Sequence, residues 1–324
     1  MKAAFYDEFG SARDVLRIGD LPKPVVGPGE VLIEVKVSGV NPSDVKSRRG
    51  ARPRAFPRVT PHSDGAGVVV AVGDGVNRAR IGERVWTWNA QWGRAFGTAA
   101  ELVALPTAQA VRLPDGVSFD VGACLGVPWL TAWRAVNFRP VVEGESVLIA
   151  GGAGSVGFYA IQLAKRAGLR VITTVSSDEK AQLARSAGAD RVVNYKTEDL
   201  RASVAGFADG GVDRIVEVDL AGNARHYKDI LRQDGLVVAY GSSTWNTLLP
   251  LSDWLVHGIR LNLFIVYELP DAARARAVAD SATVLVDPGF RHLIAARFPL
   301  AAIVDAHEAV ESGRLLGNAL VDVS

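Results

Sequence analysis

Along the first third of the chain, apolar and polar positions alternate in short runs. "EVLIEVKVSGV" from Glu30, "DGAGVVVAVG" from Asp64, "GERVWTWN" from Gly82 and "AAELVAL" from Ala99 carry the period of two expected of half-buried strands. Gly, Pro and Asp punctuate them, so this part predicts a β domain of barrel or sandwich type. From about residue 125 the rhythm changes. The apolar runs "SVLIAG", "RVITTV", "RVVNY", "DRIVEVD" and "GLVVAYGS" alternate with helical segments, the first spanning residues 155–167. Such an order predicts a parallel sheet covered on both faces. "GIRLNLFIVYEL" reads as a further long apolar strand. Beyond residue 270, two helical patterns, "DAARARAVADSATVLVD" and "IVDAHEAVESG", lead to a last strand, "NALVDV".

Composition narrows the function classes. At 324 residues, 48% hydrophobic and 22% charged, the chain can form two packed domains. The 36 basic and 35 acidic residues leave a formal charge of +1, and no five like charges stand together. That balance predicts neither a nucleic-acid partner nor a membrane-surface role. Cys124 is the one cysteine, which excludes an internal disulfide framework and fits a reducing, cytoplasmic setting. Asp7 and Glu8 interrupt the place where a secretory signal needs an apolar core, and no run approaches the ~18 apolar residues of a membrane helix.

Candidate chemistry is densest at "SVLIAGGAGSVGFYAIQLAKRAG". Gly152, Gly154 and Gly157 match G-x-G-x-x-G, with Gly151 directly before them at the strand end. Glycines there let a pyrophosphate approach the backbone, where the first N–H groups of a helix, those of Ser155, Val156 and Gly157, favour its charge. The pattern is weak alone and gains weight from its place between a strand and a helix whose Val156, Ala160, Leu163, Ala164 and Ala167 share a face. A dinucleotide is the expected ligand. An NAD-preferring fold presents an acidic residue at the end of the next strand, and here that position is Val175. Ser176 and Ser177 follow as small donors and Lys180 adds a positive charge, so the cofactor expected is NADPH. Asp178 and Glu179 oppose that charge, and at the start of a helix they also have a plain capping role.

With these features placed, the chain resembles the zinc-free quinone oxidoreductase (zeta-crystallin-like) branch of the medium-chain dehydrogenases/reductases. The resemblance runs through "MKAAFYDEFG", "PGEVLIEVKVSGVNPSD", "SDGAGVVVAVGDGV", "GERVW", "LPDGVSFDVGACLGVPWLTAW", "GGAGSVG" and "AHEAVESGRLLGNALV". It implies an α/β fold: a Rossmann doubly wound parallel sheet domain over residues 123–267, inserted in a GroES-like β-barrel domain formed by 1–122 and 268–324. It also implies that Lys180 and Tyr195 lie beside the cofactor 2'-phosphate, that Thr131 lies near the cofactor, and that backbone at Gly241 and Phe264 holds the nicotinamide. Asn41 and Asp44 of "NPSD" are implied on the nicotinamide side of a cleft, and the strand in "GIRLNLFIVYEL" is implied to pair two subunits into a homodimer.

Zinc enzymes of the superfamily carry Cys where Asn41 stands and a His-Glu pair where Ser63 and Asp64 stand. Only Asp64 has ligand chemistry, and His62 is one residue out of register, so no metal is expected. Without a Lewis acid, the favoured hydride acceptor is one that delocalises charge, a quinone or an enone. Asn41 is then an anchor for substrate or ribose, or a turn-stabilising residue before Pro42. Lys46 stands where relatives often have tyrosine; it is an oxyanion partner if it faces the cleft and a surface lysine if not. Tyr240 and Tyr267 are candidate proton donors. Trp88, Trp92 and Phe96 are candidate walls for a planar substrate, while Trp86 and Trp88 on one strand face are equally candidates for core. Three functions remain: an NADPH-dependent quinone oxidoreductase, an NADPH-dependent enone or alkenal double-bond reductase, and a non-catalytic NADPH-binding protein.

Overall fold

In the computed structural model, which describes residues 1–323, the alternating runs become β1 (Lys2–Phe5), β2 (Arg17–Asp20), β3 (Glu30–Val40), β4 (Asp64–Val72), β5 (Arg84–Thr87), β6 (Leu102–Pro106) and β7 (Ala110–Arg112). The continuous apolar runs become β8 (Ser146–Ile149), β9 (Arg170–Val175), β10 (Arg191–Asn194), β11 (Val212–Glu217), β12 (Leu231–Ala239) and β13 (Arg260–Leu263). Two further strands, β14 (Ile294–Pro299) and β15 (Asn318–Asp322), close the sequence. The chain divides into two compact units, residues 1–128 with those from 278 onward, and residues 129–277.

In the first unit β3 is the organising strand. Val31, Ile33, Val35 and Val37 alternate inward, as a period of two demands, and then Ser38 to Val40 are buried continuously. The first half of β3 pairs with β6, the second half with β15, and β4 runs antiparallel along its length. Register shifts between Leu32 and Ile33 and between Val35 and Val37 bend this pair. The β15 pairing, Ala319 opposite Val40 through Asp322 opposite Val37, ties the C-terminal segment into the N-terminal sheet. The helix Ile303–Glu311 contributes Ile303 and Ala306 to the same core as Ile33, Val69 and Val103.

The second unit is a six-stranded parallel sheet in the order β10-β9-β8-β11-β12-β13. The order reverses at β8, so the strand ends around Gly151 are the place where such a sheet takes a ligand. The helix Ser155–Arg166 buries more of its circumference than the five-residue stripe predicted. Phe158, Tyr159, Ile161 and Gln162 are buried, while Val156, Leu163 and Ala167 are half-buried. The Tyr159 ring packs edge-on against Trp129, whose indole N–H donates to the Ala277 carbonyl at 2.9 Å.

The long strand expected over residues 258–269 is corrected. Only Arg260–Leu263 pair with β12, and the chain then turns into a 3-10 segment, Val266–Glu268. Val266, Tyr267 and Leu269 are buried there, and the Arg274 guanidinium donates to the carbonyls of all three. An apolar run signals burial, and this one is buried without being a strand. Among the described residues, no helix is long and apolar enough to cross a membrane.

Candidate active site

At the end of β8 two of the glycines are required by contact. A Cβ on Gly157 would lie 2.2 Å from the Gly151 carbonyl oxygen, and one on Gly152 would lie 2.2 Å from the Thr173 hydroxyl. Gly151 adopts φ +74°, a conformation that side chains disfavour. The loop is pinned to β9: the Gly151 N–H donates to Thr174 Oγ1 at 3.2 Å and the Gly152 N–H to the Thr174 carbonyl at 3.1 Å. Gly154 is the N-cap of the helix and offers no side chain to its first turn, so the N–H groups of Ser155, Val156 and Gly157 lack a side-chain cap. Bare backbone donors at the positive end of a twelve-residue helix form a cradle for a phosphate.

The ends of β9 and β10 meet beside this loop. The Tyr195 N–H donates to the Val175 carbonyl at 3.1 Å, and Lys180 Nζ donates to Ser176 Oγ at 3.0 Å. Tyr195 is exposed, whereas Val175 is buried. Ser177 is spent as the N-cap of the helix Asp178–Ser186, its Oγ accepting the Lys180 N–H. Asp178 and Glu179 occupy the first turn of that helix, where carboxylates are favourable. Ser176, Lys180 and Tyr195 therefore group at one strand end, with no acidic side chain at the Val175 position.

Further along the same edge, Tyr240 and Gly241 follow β12, and Phe264 follows β13. The Tyr240 and Phe264 rings lie 6.4 Å apart. A Cβ on Gly241 would strike the Val218 carbonyl at 2.3 Å, so this turn too demands glycine. Burial and the Glu217 carboxylate push the Tyr240 phenol well up, which keeps it protonated at neutral pH. Thr131 is buried on the helix Leu130–Val136.

In the first unit, Asn41 caps the helix Pro42–Arg48, which begins with proline at its first position. Asp44 accepts the Asn41 backbone N–H at 2.8 Å, and Asn41 Nδ2 donates to Asp64 Oδ2 at 2.8 Å. Both Asp64 oxygens accept the Val127 N–H, at 2.9 and 2.8 Å. Gly126 makes that approach possible, since a Cβ there would sit 2.0 Å from Asp64 Oδ1. All three polar side chains are buried. Burial pushes Asp44 up to about 7 against the hydrogen bonds from Asn41, and raises Asp64 well above its usual range.

Behind this cluster lies a second buried chain of polar groups. Ser38 Oγ is 2.8 Å from His62 Nδ1 and 2.7 Å from Thr98 Oγ1, and His62 Nε2 is 2.9 Å from His307 Nε2. His62, at φ +77°, is a hydrogen-bonding histidine, and burial pushes it down to about 3. Burial also holds His307 well below the ordinary range, helped by His62 and Arg48. Asp64 as the partner that orients Asn41, and His307 as the partner of His62, were missed by sequence reasoning.

The donor set does not fit a catalytic zinc. Asn41, Ser63 and Asp64 offer one ligand side chain, and its oxygens are already engaged. Among the described residues, no group of three or more His, Cys, Asp or Glu side chains is placed to hold a metal ion. Cys124 is buried, with its Sγ 3.2 Å from the Asp120 carbonyl oxygen, and burial pushes its thiol pKa up. Lys46 is exposed, Trp86 is fully buried as core, and Trp88 and Trp92 are half-buried.

Comparison with known proteins agrees with this architecture. The family model "Alcohol dehydrogenase GroES-like domain" matches residues 27–115, and "Zinc-binding dehydrogenase" matches 155–282. Quinone oxidoreductase of Mus musculus is 36% identical over 250 residues, covering 74% of this chain and 73% of its own. A mycobacterial protein complexed with NADPH superposes with a TM-score of 0.88 at 30% identity, covering 99% of this chain and all of its own. Escherichia coli quinone oxidoreductase complexed with NADPH superposes with a TM-score of 0.90 at 25% identity, covering 99% of this chain and 100% of its own. The chain belongs to the quinone oxidoreductase branch of the medium-chain dehydrogenase/reductase superfamily.

Proposed function

We propose that this oxidoreductase uses NADPH to reduce a quinone, without a metal. The observation that carries the reading is the Asn41–Asp64 pair. Where zinc relatives need ligands, this chain has an amide and a carboxyl satisfied by each other and by the Val127 N–H. An acceptor reduced there needs no Lewis acid if the charge it gains spreads over a conjugated ring. Two solved relatives bind NADPH, and the Ser176, Lys180 and Tyr195 grouping suits its 2'-phosphate.

When bound, NADPH supplies the hydride. The chain's part is to bind, orient and protonate. The N–H groups of Ser155, Val156 and Gly157 at the helix start take the pyrophosphate, and Ser176, Lys180 and Tyr195 surround the 2'-phosphate. Thr131, Gly241 and Phe264 border the nicotinamide end. Asn41, held by Asp64, anchors substrate or ribose. Tyr240 and Asp44, both protonated to a useful degree at neutral pH, are the proton sources, and Lys46 supplies positive charge from the last turn of the helix Pro42–Arg48. A homodimer formed through the edge strand β13 belongs to the same proposal: Leu263 on that strand and Leu255 and Val256 on the preceding helix are 62%, 72% and 82% exposed.

The test is NADPH oxidation by chelator-treated protein offered 1,4-benzoquinone, 9,10-phenanthrenequinone or an alkenal, with NADH as control and the mass of the same preparation measured by sedimentation equilibrium. Quinone turnover with NADPH by a dimer is the expected result. Turnover of the alkenal alone moves the enzyme to the double-bond reductases, tight NADPH binding without turnover makes it a non-catalytic binder, and a monomer mass removes the pairing.

A further inference from the structure

The buried side chains of His307, His62, Ser38 and Thr98 form one hydrogen-bonded series, and its last link fixes the direction of all the others. A carbonyl oxygen only accepts, so the Thr98 hydroxyl donates to the Asp64 carbonyl. Thr98 has then spent its one proton, and the Ser38 hydroxyl, 2.7 Å away, must donate to Thr98. Ser38 in turn can only accept from His62, whose Nδ1 is 2.8 Å away and carries the proton. Burial keeps both rings neutral, so each holds a single proton. His62 Nε2 is therefore bare and accepts the His307 Nε2–H at 2.9 Å. His307 Nδ1 is left bare at the head of the series, and it is the ring nitrogen of the pair that has no partner among the described residues.

The series ends where the Asn41 cluster begins. His62 has φ +77°, and a left-handed residue other than glycine persists only where its surroundings hold it. Its ring is held at both nitrogens, and its carbonyl accepts the Thr98 N–H at 3.0 Å. The next two residues carry this turn toward the site: the Ser63 carbonyl accepts the Ala90 N–H at 3.0 Å, and the Asp64 carboxyl accepts the Asn41 amide at 2.8 Å.

We propose that His307 is a positioning residue for Asn41: its Nε2–H heads a one-way series through His62, Ser38 and Thr98 that holds the turn at 62–64, and with it the Asp64 carboxyl, against the Asn41 amide. This rests on the reading in which Asn41 anchors substrate or ribose, and it extends that anchor to the helix Ile303–Glu311. The series orients; no proton leaves it, and it takes no part in the redox step.

Proton positions in the wild type are the first test. With isotope-labelled histidine, a long-range proton–nitrogen correlation spectrum is expected to show His62 protonated at Nδ1 and His307 at Nε2. His62 protonated at Nε2 alone overturns the proposal. The second test measures kcat/KM for 1,4-naphthoquinone with NADPH, and the side-chain amide signals of Asn41, in His307→Leu, His307→Gln and Thr98→Val. His307→Gln keeps an N–H donor for His62 Nε2, His307→Leu removes it, and Thr98→Val removes the opposite end of the series. His307→Leu and Thr98→Val are each expected to lower kcat/KM about tenfold and to shift the Asn41 signals, as a small displacement of an anchoring group predicts. His307→Gln is expected to stay near wild type in both. Because the links act in series, the double variant of His307→Leu with Thr98→Val is expected to fall no further than the lower single variant. A loss in His307→Gln equal to that in His307→Leu, or losses that multiply in the double variant, would assign His307 to packing alone and overturn the proposal. Where no quinone is reduced, the Asn41 signals still decide: moved by His307→Leu and kept by His307→Gln, they support the positioning, and only the quinone reading fails. Signals unmoved by His307→Leu and by Thr98→Val overturn it. If His307→Leu does not fold, the wild-type proton positions and Thr98→Val decide in the same way.

Discussion

At the end of β8 the backbone is laid bare. Gly151, Gly152, Gly154 and Gly157 contribute no side chain, and what the site offers is a helix start without a side-chain cap, and space. At the end of β3 the reverse holds. Asn41, Asp44 and Asp64 are buried side chains that satisfy one another, with His62 and His307 paired behind them. The first site is intolerant of an added atom at Gly157, where the neighbours are backbone and cannot move aside. The second is intolerant of any lost partner, because a buried polar group left alone keeps its desolvation cost. The same fold thus carries one site made by absence and one made by mutual satisfaction, and each should fail in its own way.

The largest effect is expected at the glycine cradle. In Gly157→Ala the new methyl meets the Gly151 carbonyl at 2.2 Å, so the turn must open and the first helical N–H groups lose their aim. The Kd for NADPH should rise by about 100-fold, equivalent to about 2.8 kcal/mol. Isothermal titration checks it, and a Kd within threefold of wild type would mean that the cradle does not hold the cofactor.

The Asn41 cluster should break in stability first. Asp64→Ala orphans the Asn41 amide and the Val127 N–H in a buried place, each at about 1–3 kcal/mol. Urea unfolding reads the loss directly. A midpoint equal to wild type would show that water replaces the carboxylate, and the contrast between the two sites would collapse.

The difference also explains what was legible in the sequence. Gly152, Gly154 and Gly157 could be read because their meaning is local: an apolar run precedes them and a helix follows. The switch from alternating to continuous apolar runs was legible for the same reason, and it separated the two sheets. Asp64 is 23 residues from Asn41, and His307 is 245 residues from His62. Those partners meet only because β4 and β15 both pair with β3, a register that no local window contains. The resemblance to zinc enzymes left Asp64 as the one residue with ligand chemistry and gave it no role, whereas the fold makes it the group that orients Asn41. The run 258–269 misled because apolarity reports burial, and its second half is buried through carbonyls capped by Arg274.

The smallest expected effect sharpens the picture of the buried cluster by setting its members against each other. His62 is held down to about 3 and His307 is also lowered, so the folded state stays neutral where unfolded histidine, near 6.5, takes a proton. Their contribution is complete above about pH 6.5 and is lost as pH falls toward 3. Asp44, raised to about 7, has the opposite sign: the folded state keeps a proton that the unfolded chain releases near 3.8. Its contribution is present below about pH 3.8 and is lost as pH rises toward 7. Between pH 4 and 6.5 the two slopes oppose. Arg48, which pairs with Glu311, is the cation whose field helps to keep His307 neutral. Asp44→Asn should therefore make the urea midpoint climb more steeply with pH across this window than in wild type, and His307→Gln should make it climb less. If both variants shift the slope in the same direction, the carboxyl and the histidines do not stand in opposition.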